Sequence, residues 1–381
     1  MQNSLKGVRK MQSDKNMQME KRVAYSLERL YESYGYRKFK MSSFEEYSMY
    51  SDNSDFLISK KVITFTGLDG KLMALRPDVT LSVIKNSKDG KFGNEKVFYN
   101  EKVYREFGKT KEFREIRQAG VEFIGKIDYY AYAELILLAL KSLERIDKNY
   151  VLDISFLSLV TSLIDGFKVT GQVKQEFYEY LKSKNIDDFT KSAVKNGLTQ
   201  KEIDAFICLA KINSNLSATL VEVKKAIISE QMQVAFEELS SLVTVLEKLP
   251  NSDKINVNFS ITGNLDYYTG LIFNGYVSGV PKSVLSGGRY DKLLEKLGKN
   301  SGAIGFAVYL GELERYFADE IPVTDMLILY DDAQVDQVLK IVEQMVSEGK
   351  SVRADTRIPT SFKYKKLYRI IDGQLKEIEN D

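Results

Sequence analysis

The sequence predicts an α+β protein: an antiparallel sheet flanked by helices, a helical insertion, and a small C-terminal α/β piece. Three observations predict it. Residues 96–105, 114–125 and 255–261 carry strand signals. Residues 165–249 carry apolar stripes at helical spacing and lack strand alternation. After Pro322 the composition resets, and a fresh strand and helix begin. The expected division is a core over residues 1–320, interrupted at about 160–250 by the insertion, and a β-α-β-β region over 321–381.

Each element has a local reason. Val23, Leu27, Leu30, Tyr31 and Tyr34 share one helical face over 14–34, and Gly35 stops that helix. Residues 63–66 and 71–75 form a hairpin around Leu68-Asp69-Gly70. Arg76-Pro77-Asp78 turns the chain into a helix over 79–85, with Asp78 as N-cap. The strands at 96–105 and 114–125 follow, joined by a charged loop. On the second strand, a period of two puts Gln118, Gly120 and Glu122 on one face. The glycine between two polar side chains leaves a gap that a ligand can fill. Residues 128–146 are helical. Within the insertion, Thr199-Gln200-Lys201-Glu202 is a capping box. Met232, Ala235, Leu239, Leu242 and Leu246 make a stripe that core packing explains. Ile255, Val257, Phe259 and Ile261 alternate as a strand. A short helix over 292–297 ends at Gly298, and Ala303-Ile304-Gly305-Phe306-Ala307 opens the last core element. Beyond Pro322 come a strand at 326–330, a helix marked by Val335, Val338, Leu339, Val342 and Met345, and two short strands flanking Asp372-Gly373.

Composition removes whole classes of function. The chain has 381 residues, 44% hydrophobic and 28% charged, which suits a globular protein of two or three domains. No apolar run reaches the roughly 18 residues needed to span a membrane, and the N-terminus lacks a signal-peptide core. The single cysteine, Cys208, excludes an internal disulfide and fits a reducing cytoplasm. A net charge of +2 argues against a partnership held by nucleic-acid phosphates. Histidine is absent altogether, so His-dependent nucleophile pairs and His-ligated zinc sites are excluded. Neither Gly-x-x-x-x-Gly-Lys-Ser/Thr nor a strand-borne Gly-x-Gly-x-x-Gly occurs, and no cofactor or metal is expected.

The segment 265–293 is the most informative. Leu265-Asp266-Tyr267-Tyr268-Thr269-Gly270 leads into a strand-like run, a turn at 279–282, and then Ser286-Gly287-Gly288-Arg289-Tyr290-Asp291. This is a hairpin with a carboxylate and two phenols at its entrance. The Gly-Gly step at its exit lets backbone approach a ligand closely. The layout suits a small polar molecule with an aromatic or imidazole part. A free amino acid would place its ammonium on Asp78 and Gln118 and its carboxylate on Arg105. Its imidazole would lie between Glu122 and a tyrosine hydroxyl, with Thr80 at the adjacent helix start. Each residue also has a plainer reading. A strand-end arginine makes surface ion pairs, and a tyrosine pair packs in a core.

At these residues the sequence resembles the histidyl-tRNA synthetase family. Leu75-Arg76-Pro77-Asp78-Val79-Thr80 resembles the family's Leu-Arg-Pro-Glu-x-Thr. Val103-Tyr104-Arg105-Glu106 with Phe113-Arg114-Glu115-Ile116-Arg117-Gln118-Ala119-Gly120-Val121-Glu122 resembles class II motif 2. Leu265-Asp266-Tyr267-Tyr268 and Gly287-Gly288-Arg289-Tyr290-Asp291 resemble its two histidine-specific motifs, and Gly305-Phe306-Ala307 the start of motif 3. The match runs over about residues 10–318. It implies a class II aminoacyl-tRNA synthetase-like antiparallel sheet, self-association as a dimer, and a histidine site. That site would comprise Asp78, Thr80, Arg105, Gln118, Glu122, Leu265, Asp266, Tyr267, Tyr268, Gly288 and Arg289.

The departures bear on activity. The family's arginine three residues before the Asp of Leu-Asp-Tyr-Tyr is replaced here by Gly263, followed by Asn264. The motif 3 arginine position is Glu312, where a carboxylate would repel a triphosphate. The motif 1 proline is missing near Ser42-Ser43, and residues 321–381 are short for a full anticodon-binding domain. This combination is similar to the family's non-catalytic members, the regulatory subunits of ATP phosphoribosyltransferase. That likeness implies a hetero-octamer with the short catalytic subunit, L-histidine as feedback effector, and no catalytic residues of its own. The missing histidines then acquire a motive, because such a chain serves the pathway that makes histidine. A histidine-activating ligase and an interaction module with a vestigial pocket are the competing readings.

Overall fold

The strand pair expected at 96–105 and 114–125 forms, and it is longer than the alternation alone marks. In the computed structural model, strands Glu95–Phe107 and Glu112–Gly125 pair antiparallel along their whole length. The structure describes residues 19–57, 61–88, 93–107, 112–265, 267–317, 323–331, 335–360, 362–371 and 374–378. The chain divides into two compact units, Ala24–Leu313 and one made of Met1–Val23 with Glu314–Asp381.

The strands of the larger unit are β1 (Arg37–Lys38), β2 (Phe44–Glu46), β3 (Thr64–Thr66), β4 (Leu72–Leu75), β5 (Glu95–Phe107), β6 (Glu112–Gly125), β7 (Tyr150–Phe156), β8 (Ile255–Val257), β9 (Leu271–Val277), β10 (Leu285–Arg289) and β11 (Gly302–Tyr309). Eight of them form one sheet in the order β1-β5-β6-β11-β10-β9-β7-β8. Its central pairs are antiparallel, while β1 on β5 and β8 on β7 are parallel. A separate three-stranded sheet has the order β2-β4-β3. The helices that frame the large sheet are α1 (Met19–Ser33), α2 (Thr80–Asn86), α3 (Tyr129–Ile146), α4 (Asp291–Lys296) and α5 (Leu310–Phe317).

Local sequence explains these elements. Helix α3 starts where the Asp128 side chain accepts from the Ala131 N–H. Its buried face includes Leu135, Leu138, Ala139 and Leu143. Leu143 lies so close to β9 that a Cβ at Gly275 would meet it at 2.7 Å. The helical insertion is present as six helices between Leu157 and Leu246. The capping box at Thr199 and Glu202 closes in both directions.

Three strand expectations are corrected. Strand β7 was not foreseen, although Tyr150, Leu152, Ile154 and Phe156 alternate and are buried. Strands β1 and β2 are too short to carry a period, and pairing alone creates them. The strand expected over 255–261 ends at Val257. There the Asn258 side chain accepts from Ser260 N at 3.2 Å and from its hydroxyl at 2.7 Å, a local turn that competes with the ladder.

In the smaller unit, β12 (Val323–Leu329), β13 (Val352–Asp355), β14 (Lys363–Ile371) and β15 (Gln374–Ile378) form a sheet in the order β13-β12-β14-β15. Helix α6 (Val335–Ser347) is the crossover between parallel β12 and β13. Val338, Ile341 and Val342 of α6 pack with Ile328 and Ile370. Asp372-Gly373 lies outside the described residues, between antiparallel β14 and β15.

Candidate functional site

Period-two alternation on β6 brings Gln118 and Glu122 to the wall of one cavity of about 400 Å³. Helix α2 supplies Asp78 and Thr80 at its start, β5 supplies Arg105, and the chain before β9 supplies Tyr267 and Tyr268. Seven of the sequence-derived candidates therefore surround one space. Others go elsewhere. Leu265 uses its carbonyl to accept from Lys292 Nζ at 2.8 Å. Gly288 shares the Glu122 side of the sheet but lies behind Tyr268, whose ring would lie 2.8 Å from a Cβ placed there, while Gly287, which points to the packed side, borders the cavity with its backbone. Arg289 lines a different cavity and pairs with Asp291. Asp266 lies outside the described residues.

The gap expected beside Gly120 is not open. A Cβ at Gly120 would meet the Tyr99 hydroxyl oxygen at 2.5 Å, so that phenol fills the space. Tyr99 was missed by sequence reasoning, as were Tyr290, Tyr309 and Ser286. Ser286 and Tyr290 carried a signal within Ser-Gly-Gly-Arg-Tyr-Asp. Tyr99 and Tyr309 are ordinary strand residues that only the sheet's register brings to the cavity.

Glu122 is the chemical centre. It is 2% exposed. One carboxyl oxygen accepts from Thr80 Oγ1 at 2.9 Å, and the other accepts from the Tyr290 hydroxyl. Burial pushes its carboxyl up to about 8; the two hydroxyl donors oppose that rise and Asp78 adds to it. Room for Glu122 comes from β11. Gly305 stands opposite it in the ladder, and any Cβ there would overlap the carboxylate. Tyr290 stacks on Tyr267 at 5.4 Å, and Tyr267 meets Tyr268 edge-on at 4.7 Å. Burial raises the phenols of Tyr99, Tyr267 and Tyr290 well above their ordinary value, so they are neutral hydrogen-bonding groups.

A second polar group lies on the same wall. Arg105 Nη2 reaches Asp78 Oδ2 at 3.2 Å, and its Nε donates to the Pro77 carbonyl at 2.5 Å. Asp78 Oδ1 also accepts from Leu81 N at 3.0 Å, which caps α2 as expected. Arg76 shapes this turn from behind. It is fully buried, pairs with Glu101 at 2.9 Å and donates to the carbonyls of Ser42 and Lys102. Gln118 is 2% exposed, and among the described residues its amide has no hydrogen-bond partner. The cavity thus offers an ion pair with spare guanidinium donors, a free carboxamide, a proton-accepting carboxylate and several phenols. That set can hold a small zwitterion with a basic ring. Gly263 also lines it, at φ +57° and with a Cβ position 3.0 Å from the Tyr268 ring. A long side chain does not fit there on this backbone. Glu312, early in α5, points to Lys282 at 3.6 Å.

No group of acidic, cysteine or histidine side chains suited to a metal occurs among the described residues. Among the same residues, no helix is long and apolar enough to cross a membrane.

A mainly antiparallel sheet carrying a small-molecule cavity between its β6 and β11 strands and a capping helix is the architecture of class II synthetase-like proteins. Residues 7–313 match the sequence model of histidyl-tRNA synthetase, and the chain belongs to that family. An ATP phosphoribosyltransferase regulatory subunit from Bacillus cereus (strain AH187) is 24% identical over 344 residues, covering 87% of this chain and 81% of that one. A crystal structure from Bacillus halodurans C, described as an ATP phosphoribosyltransferase regulatory subunit/histidyl-tRNA synthetase, superposes with a TM-score of 0.74 at 22% identity and covers 88% of each chain. A chain of the ATP phosphoribosyl transferase (HisG:HisZ) complex from Thermotoga maritima gives a TM-score of 0.58 at 16% identity, covering 75% of this chain and 96% of that one.

Proposed function

We propose that this chain is the regulatory subunit of an ATP phosphoribosyltransferase. It lacks catalysis of its own, is required by a short catalytic subunit, and carries histidine feedback on the first step of histidine biosynthesis. The observation that carries the reading is the coexistence of an amino-acid-sized cavity around Glu122 with missing charge at the positions that would handle a triphosphate. The regulatory-subunit names of its relatives support it. In this reading Glu122 and a tyrosine hydroxyl take the imidazole, Arg105 takes the carboxylate, and Asp78 with Gln118 takes the ammonium. Leu265, Gly288 and Arg289 act outside direct contact or frame the hairpin. The assembly is a hetero-octamer in the cytoplasm, with this chain self-associating as a dimer. Histidine shifts it toward an inhibited state by binding that state more tightly.

The family's own activity, histidine activation for transfer to tRNA, is the second reading. Two local features weigh against it. Gly263, in a left-handed conformation against Tyr268, supplies no cation, and Glu312, at the position the family resemblance gives to an arginine, is a carboxylate paired with Lys282.

The deciding experiment is ATP phosphoribosyl transfer by the cognate short catalytic subunit, with and without this chain, across a histidine titration. Activity that requires the chain and is suppressed by histidine, with suppression lost in Glu122→Ala, is the expected result. Unchanged activity sinks the reading. Histidine-dependent ATP–pyrophosphate exchange by the chain alone would install the ligase in its place.

A further inference from the structure

Glu122 is a buried acid with no counter-ion. Its carboxyl oxygens meet hydroxyl groups, from Thr80 on α2 at 2.9 Å and from Tyr290 just before α4. Among the described residues, no lysine lines the cavity. Its guanidinium, Arg105, is committed to Asp78 at 3.2 Å and to the Pro77 carbonyl. The other close neighbours are aromatic. Tyr99, Tyr267, Tyr268, Tyr290 and Tyr309 line the same space, and burial keeps all five phenols neutral. The Tyr267 and Tyr290 rings stack at 5.4 Å, and Tyr268 meets Tyr267 edge-on. A carboxyl among electron-rich rings, with no cation of its own, is an environment that favours a bound cation. Until one arrives, an ionised Glu122 is a costly buried charge. Its proton is accordingly held up to about pH 8, and the Asp78 carboxylate strengthens that hold.

We propose that the cavity selects its ligand by proton transfer: Glu122 gives its proton to the imidazole of histidine, and the ring is held as imidazolium against the carboxylate and among the phenols. This rests on the reading of the cavity as a histidine site. The proton leaves a Glu122 oxygen and bonds to the bare ring nitrogen. Both ring nitrogens then carry N–H, one donating to Glu122 and the other to a phenol oxygen. No proton is exchanged with solvent. Taken alone, Glu122 is the stronger base of the two, because burial penalises its unpaired anion. An imidazolium beside it removes that penalty, so the two groups titrate as one unit that shares a single proton. The two hydroxyls keep the carboxylate satisfied after the transfer, since both can donate to it. The ligand class that follows is an amino acid with a basic heteroaromatic ring. A ring of the same size that is a poor base leaves the proton on Glu122 and the cavity without its cation.

The test is nitrogen NMR of ring-labelled histidine bound to the full chain. The chain contains no histidine, so every imidazole signal belongs to the ligand. At about pH 7.5 the free ring is neutral, because its ordinary pKa is near 6.5. The expected result is that both nitrogens of the bound ring resonate as protonated nitrogens. One protonated and one bare nitrogen in the bound ring overturns the proposal. Calorimetry supplies a second arm with 1,2,4-triazolylalanine, which matches histidine in shape but is a far weaker base. It should bind at least about tenfold more weakly, as expected when a buried charge pair is not formed, and equal binding overturns the proposal. Glu122→Gln keeps the shape and can neither give the proton nor carry the charge. It should weaken histidine binding at least about tenfold and leave any bound ring neutral; imidazolium in that variant overturns the role of Glu122. If a thermal melt shows the variant unfolded, the two arms on the natural chain decide. Histidine that fails to bind the natural chain overturns the histidine-site reading and this proposal with it. Bound imidazolium with no effect of histidine on phosphoribosyl transfer supports the proposal and overturns the regulatory reading alone.

Discussion

The two faces of the eight-stranded sheet are written one residue apart, and they do opposite work. On one face, Val121, Phe306, Gly287, Phe273 and Ile154 stand opposite one another across successive strands. All are buried, and the Phe273 and Phe306 rings meet at 6.1 Å. One step along each strand, the row reads Glu122, Gly305, Gly288, Ile272 and Ser155. There the sheet gives up side-chain volume at two glycines and buries a carboxyl in the space. The first row stabilises the fold by apolar burial. The second gives up some of that stability to keep a shaped hole. A register slip of one residue would exchange the rows and destroy both roles.

The largest effect belongs to the packed face. Phe273→Ala should cost about 3–5 kcal/mol of stability, the usual range for emptying an aromatic core position, measured by denaturant unfolding, with no specific change in ligand recognition by the remaining folded protein. A loss below about 1 kcal/mol would mean that this face is not the principal core.

The Glu122 face predicts a pH signature. Its folded-state carboxyl titrates near 8, above the ordinary 4.5. The folded protein therefore holds a proton that the unfolded chain releases between those values. The resulting stabilisation is complete below about pH 4.5 and is lost as pH rises through about 8. Glu122→Gln removes this dependence. The difference in melting free energy, variant minus natural, should climb between pH 5 and 9 by on the order of a few kcal/mol. Parallel pH profiles for the two proteins would contradict a buried, proton-holding Glu122.

Gly305→Ala sharpens the contrast, because it adds one methyl to the hole and nothing to the packed face. It should cost about 1–3 kcal/mol by overpacking, and it should displace the Glu122 carboxylate and abolish histidine binding measured by calorimetry. Retained binding would show that Glu122 does not set the cavity's shape. The smallest effect belongs outside both faces. Lys282 meets Glu312 at 3.6 Å with 60% of its side chain exposed, so Lys282→Ala should change stability by less than about 0.5 kcal/mol.

Much of the fold was legible where the signal is local. The β5–β6 pair, the insertion, the capping box and the Asp78 cap follow from periodicity and from side chains that bond backbone groups a few residues away. Residues 255–261 misled because alternation alone does not reveal the Asn258 turn that ends the strand. Strand β7 shows the converse, since its alternation was present but sat unremarked between two helical tracts. In the site, Gln118 and Glu122 were legible from their period, and Tyr267 and Tyr268 from their motif. Arg289 sat in an equally good motif and points into another cavity, because it follows Gly288 by one residue and alternation along β10 turns it to the face opposite Glu122.

Residue order alone settles which side chains are available, which faces they occupy along each strand or helix, and which chemistries the absence of histidine excludes. Those properties depend on residue identity and on short-range backbone geometry. It takes the folded chain to put Tyr99 in the space beside Gly120, to bring Tyr290 and Thr80 together at Glu122, and to make room for them at Gly305. These are contacts between residues 21 to 183 positions apart. They exist because strand order and register bring distant segments together, and burial of the whole then moves the Glu122 proton affinity far from its value in water.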